Sequence, residues 1–90
     1  MSLPADKALA LEKQFRFQWE PAQNAYVLLY PEGLIKLTES AGEILKRIDG
    51  KASADDVVHS LEQAFPGADL KQDVIDFLEV AHDKGWIRTD

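Results

Sequence analysis

His59 and His82 are the only histidines of this chain, and with no cysteine present no other soft nitrogen or sulfur ligand stands beside them. They fall on different predicted helices, whereas zinc usually wants four well-placed ligands. Both read as exposed helix residues. Asp55 with Asp56, and Asp73 with Asp76, are spaced for shared acid–base work. Acids near helix starts offset the positive end of the helix dipole, and that role accounts for them. Ser40, Ser53 and Ser60 have no His–Asp relay to activate them, and Ser40 and Ser53 are wanted as caps. Gly33, Gly42 and Gly50 neither cluster nor precede a Lys-Ser/Thr pair, so they build no phosphate loop. The absence of cysteine excludes a disulfide framework, a thiolate zinc site and an iron–sulfur ligand set. These residues predict no catalysis, no cofactor and no metal.

The rest of the chain is bounded by its length. Ninety residues make one domain with a modest core. No apolar run approaches the roughly 20 residues of a membrane helix, and no basic-then-apolar signal opens the chain. A cytoplasmic protein with no membrane contact is the expectation. The formal net charge of −6 is unevenly placed. Residues 53–85 hold eight acids against Lys71 and Lys84, while residues 1–52 hold seven acids and seven bases. A solvated helical surface accounts for this excess, and it also repels polyanions.

Stepping along the chain, residues 1–14 have weak periodicity and read as a flexible arm, with residues 15–90 forming the single domain. Phe15, Phe17 and Trp19 alternate with polar residues, as on a half-buried strand. "PAQN" at 21–24 is a turn. "AYVLLY" at 25–30 is apolar on both faces and reads as a central strand. Pro31-Glu32-Gly33 turns the chain into a short third strand, "LIKL" at 34–37. Sheet thus spans 15–37 and helices 38–87. The first helix carries Ala41, Ile44, Leu45 and Ile48 behind a Thr38 or Ser40 cap, with Glu43 completing a capping box from Ser40. The second starts at Ser53, with Val57, Leu61, Ala64 and Phe65 inward, and stops at Pro66-Gly67. The third is capped by Asp69, turns Leu70, Val74, Phe77, Leu78 and Ala81 inward, and closes at Gly85. Gly42 inside the first helix points to close packing against the sheet. Trp86 and Ile87 are too apolar for a free tail and should fold back. The fold class is α+β, a winged helix-turn-helix-like arrangement of a three-stranded antiparallel meander followed by a three-helix bundle.

Winged helices often bind DNA, but here the helices that would enter a groove carry the negative excess, which excludes nucleic acid. What remains is the border strand. "LIKL" has one lysine and is otherwise apolar, so its unpaired backbone groups are poorly protected. Such an edge can accept an extended peptide as an added strand. It can also pair with a second copy, so a monomer or weak homodimer is expected.

"LLYPEGLIKLTESAGEILKRIDG" at 28–50, followed by "VIDFLEVAHDKGWI" at 74–87, resembles the D-protein family of pyrroloquinoline quinone (PQQ) biosynthesis. "RFQW" at 16–19 adds to the resemblance. It implies a precursor-peptide recognition domain of the kind used for ribosomally synthesised, modified peptides. Its partners would be the PQQ precursor peptide and the radical S-adenosylmethionine (SAM) enzyme of the pathway, and the chain would act as a non-catalytic peptide chaperone. Carried over, the peptide would lie along Leu34, Ile35, Lys36 and Leu37 and against the third helix. Two flanks of that helix are open to it. Ile75 lies on the side of Lys71 and His82, and Val80 on the side of Asp73 and Asp76. The second is chosen because acids could hold a peptide lysine or arginine, giving Asp73, Asp76, Phe77 and Val80. The alternative function is binding of PQQ or a late quinone intermediate, stacked on Trp19, Tyr26, Tyr30 or Trp86.

Overall fold

The computed structural model describes residues 3–89. The elements run β1 (Leu9–Leu11), β2 (Arg16–Glu20), β3 (Ala25–Tyr30), β4 (Gly33–Lys36), α1 (Glu39–Lys46), α2 (Ala54–Ala64), α3 (Lys71–Asp83) and β5 (Ile87–Thr89). Alternating apolar residues and two short turns fold β2, β3 and β4 into an antiparallel meander with β3 in the middle. At the first turn Asn24 takes φ 51°, a left-handed conformation that asparagine tolerates. The register places Phe17, Leu28 and Ile35 in one row across the three strands. Those residues face the core, where Leu28 is fully buried among Ile44 and Leu45 of α1, Val57 and Leu61 of α2, and Val74 and Leu78 of α3. Val27, on the opposite face, is also fully buried but lies outside that cluster, flanked across the strands by Gln18 and Lys36.

The predicted third strand is displaced by one residue. Leu37 leaves the strand as a buried link to α1, although its N–H still donates to the Tyr26 carbonyl at 3.0 Å. Thr38 is the cap of α1, its hydroxyl accepting from the Ala41 N–H at 3.2 Å. The Ser40–Glu43 box does not form. Ser40 already lies inside the helix, and the Glu43 carboxylate pairs instead with Arg47 at 2.9 Å. A box does start α2, where Ser53 and Asp56 satisfy each other's backbone N–H groups at 3.2 and 3.0 Å. Ala64 and Phe65 are exposed rather than inward, because α2 ends there and Val58 takes the buried place beside Val57. Asp69 does not cap α3, which begins after Leu70 without a side-chain cap. The Gly42 expectation holds. A Cβ at this position would come within 2.9 Å of Tyr26 Cδ2, so α1 sits against β3 as closely as it does only because the side chain is missing.

The flexible arm is corrected over its structured part; residues 1 and 2 lie outside the described residues. β1 pairs antiparallel with β5, Leu9 opposite Thr89 and Leu11 opposite Ile87. Leu9 is fully buried, its N–H donates to Ala52 and its carbonyl accepts from Gly50, both at 2.9 Å. Leu3 packs against the core as well. Local periodicity missed this strand because it is three residues long and its partner lies at the far end of the chain. Trp86 and Ile87 fold back as expected. Gly85, at φ 77°, ends α3 with its N–H on the His82 carbonyl at 3.0 Å, and Trp86 bonds Ala81 at 2.9 Å. This left-handed helix cap satisfies two terminal carbonyls and turns Trp86 toward the body.

Candidate functional site

Strand β4 borders the meander, and no strand pairs with its outer edge among the described residues. Backbone groups alternate sides along an antiparallel ladder. Because the Leu37 N–H faces Tyr26, Ile35 also points its N–H and C=O toward β3, and those of Leu34 and Lys36 point outward. The side chains alternate in the perpendicular direction. Ile35 is half-buried against the core and Leu37 is buried, while Leu34 and Lys36 are exposed. Four predicted residues thus divide into two that hold the strand down and two that offer unpaired backbone.

Helix α3 supplies one wall of a neighbouring groove. Val74, Leu78 and Ala81 fix it to the core, Phe77 is half-buried, and Asp73, Asp76 and Val80 are exposed. Phe77 is backed by Trp86, with ring centroids 6.4 Å apart. This groove of about 710 Å³ runs between α3, the end of α2 and α1, the helix that follows β4. Asp73 and Phe77 line it, together with Thr38, Glu39, Ile44 and Leu70. Asp76 and Val80 do not. Asp76 accepts a 2.8 Å bond from Gln72, and Val80 stands 47% exposed beyond the groove. Leu34 to Leu37 do not line it either; the groove begins at the next residue, Thr38. Glu39, Ile44 and Phe65 are groove residues that the sequence reading did not assign. Glu39 opens α1, three residues past the end of β4.

The four aromatics considered for quinone stacking do not form one surface. Tyr26 lies flat against Phe17 at 4.7 Å and takes the edge of Trp19 at 5.0 Å. Tyr30 packs on Phe15 and Trp86 on Phe77. No group of three or more His, Cys, Asp or Glu among the described residues could hold a metal ion. Nor is any helix among them long and apolar enough to cross a membrane. The Asp49 carboxyl is held below the ordinary 3.8, chiefly by the N–H groups of Ala52 and Lys51. It lies in the loop before α2, away from the groove, and braces the segment to which β1 bonds.

An open strand edge, an adjacent apolar groove and an α+β winged-helix scaffold together define a small recognition domain. Comparison with known proteins makes this specific. The family described as coenzyme PQQ synthesis protein D (PqqD) matches residues 25–87. A "PqqA binding protein" of Azotobacter vinelandii is 53% identical over 78 residues, covering 86% of this chain and 85% of that one. Another, of Pseudomonas paraeruginosa, is 51% identical over 89 residues and covers 97% of each chain. The chain belongs to the PQQ synthesis protein D family. In fold it is similar to the solution structure of the PqqD portion of Methylobacterium extorquens PqqCD, with a TM-score of 0.77 at 21% identity, covering 97% of this chain and 95% of that one. That protein is described as a functional, stand-alone recognition element for ribosomally synthesised and post-translationally modified peptides. The crystal structure of Xanthomonas campestris PqqD aligns with a TM-score of 0.53 at 28% identity, covering 92% and 94%.

Proposed function

We propose that this chain is a non-catalytic peptide chaperone of PQQ biosynthesis, which binds the precursor peptide PqqA by strand addition and presents it to the pathway's radical SAM enzyme. The observation that carries this reading is the outward-facing backbone of Leu34 and Lys36 beside the α1–α3 groove. Relatives named for binding PqqA support the choice of peptide. In this reading the peptide lies along residues 34–37, with side chains reaching toward Asp73, Phe77 and, further along α3, Asp76 and Val80.

The energetics suit a carrier that must later release its cargo. Each added backbone bond contributes roughly 0.5–1.5 kcal/mol net. Each fully buried apolar anchor contributes about 1–3 kcal/mol. Ordering a disordered peptide costs several kcal/mol, leaving micromolar or somewhat tighter binding. The test is a titration of the isotope-labelled protein with PqqA peptide and, separately, with PQQ. Amide shifts concentrated in 34–37 and 73–80 with peptide alone are expected. Saturable shifts with PQQ and none with peptide would reject the reading. Presentation is tested by adding the radical SAM enzyme: a ternary complex should form and the peptide mass should change only when that enzyme is present.

A further inference from the structure

The groove has a chemical asymmetry that strand addition leaves unused. Ile44, Leu61, Val74 and Phe77 line it with apolar surface, while three carboxylates reach it, Glu39 and Glu43 from α1 and Asp73 from α3. No lysine, arginine or histidine lines it. Glu43 is already neutralised by Arg47, at 2.9 Å. Glu39 and Asp73 are exposed and form no ion pair among the described residues. They approach the same groove from different helices. Its volume of about 710 Å³ exceeds the space of a single side chain and falls within the roughly 300–1,000 Å³ of ligand pockets generally.

We propose that this groove is a charge-selective anchor site for a peptide segment in which a large apolar residue neighbours a lysine or arginine. The apolar side chain fills the space between Ile44, Val74 and Phe77, and the cation rests at the mouth beside Glu39 and Asp73. The inference rests on the peptide-binding reading and adds a specificity to it. Charge complementarity selects this occupant: two unpaired carboxylates repel an acidic segment, a polyanion and a second copy of this acidic chain, and favour a basic one. The apolar lining in turn distinguishes the site from a solvated acidic surface, because a cation alone would leave the groove unfilled.

The experiment uses the full chain and the PqqA precursor peptide, titrated calorimetrically at low and at physiological salt. Glu39→Gln and Asp73→Asn should each weaken binding about two- to fivefold, as expected for a partly exposed ion pair. The double variant should lose about tenfold, and the loss should shrink as salt screens the charges. Glu62→Gln, on α2 and outside the groove, should bind as the parent does. A peptide with every lysine and arginine replaced by glutamine should bind the parent as weakly as the unaltered peptide binds the double variant, with no further loss when the two changes are combined. This peptide-side change keeps the test decisive should either protein variant fold poorly. Parent-like affinity of the substituted peptide, or of the folded double variant, would overturn the inference while leaving peptide binding intact. Absence of any binding between parent and unaltered peptide would overturn both.

Discussion

Proline at Lys36 is the sharpest probe of strand addition, because the register of β4 assigns each backbone N–H a side. The Lys36 N–H faces outward and makes no bond within the sheet, whereas the Ile35 N–H faces Leu28 of β3. Proline is tolerated on a border strand when its missing N–H lies on the open side, so Lys36→Pro should keep its fold. It should nevertheless lose one hydrogen bond to the peptide. At roughly 0.5–1.5 kcal/mol this weakens binding about two- to twelvefold, and the pair Leu34→Pro with Lys36→Pro should approach the square of that factor. Ile35→Pro should behave differently, breaking a bond of the ladder and lowering the melting temperature. Calorimetric titration with PqqA peptide, beside circular dichroism melts of the same samples, reads both quantities. Native melting with parent affinity for Lys36→Pro and for the double variant would refute strand addition at β4.

Three further outcomes follow from the packing. Gly42→Ala should destabilise the fold by about 1–3 kcal/mol in a denaturant titration, because the contact with Tyr26 at 2.9 Å outweighs the roughly 1 kcal/mol gain in helix propensity. Leu9→Ala should cost about 2–5 kcal/mol by the same measurement, where a flexible arm would cost nothing. The Asp49 carboxyl should titrate below 3.8 by carbon-detected NMR, since the Ala52 and Lys51 N–H groups stabilise its ionised form. Its folded pKa is depressed, so its contribution is present above the unfolded value and is lost as pH falls through the folded one. The stability deficit of Asp49→Asn should therefore shrink in acid.

The meander and three helices were legible because each element is written in adjacent residues. Phe17 and Trp19 alternate, Pro31-Glu32-Gly33 turns, and Ser53 with Asp56 caps its own helix. Gly42 was legible for a related reason, since an uncapped glycine inside a helix needs a packing explanation. The errors share the opposite property. β1 depends on β5 at the other end of the chain, and no window of sequence contains both. Asp69 has the right residue type for a cap, but α3 starts one residue later at Leu70; of the two caps open for α1, Thr38 is the one used, and the Ser40–Glu43 box does not form. At the site, Asp73 and Phe77 could be placed on one helical stripe. Glu39 could not be joined to them, because the angle at which α1 crosses toward α3 is a property of the packed core.

Strand β1 also bears on the wall of the groove. Glu12, just past β1, donates its N–H to the Trp86 carbonyl at 2.9 Å, and the guanidinium of Arg88 in β5 reaches the Leu11 carbonyl at 2.7 Å. Trp86 in turn packs on Phe77, which lines the groove. The N-terminal segment therefore holds the residue that backs Phe77, one of the groove's apolar side chains. In the proposed binding mode, a peptide anchor beside Phe77 would press on a ring whose backing residue, Trp86, is held by Glu12. Such support reduces the ordering cost that binding would otherwise impose on the protein, leaving that cost mainly with the peptide.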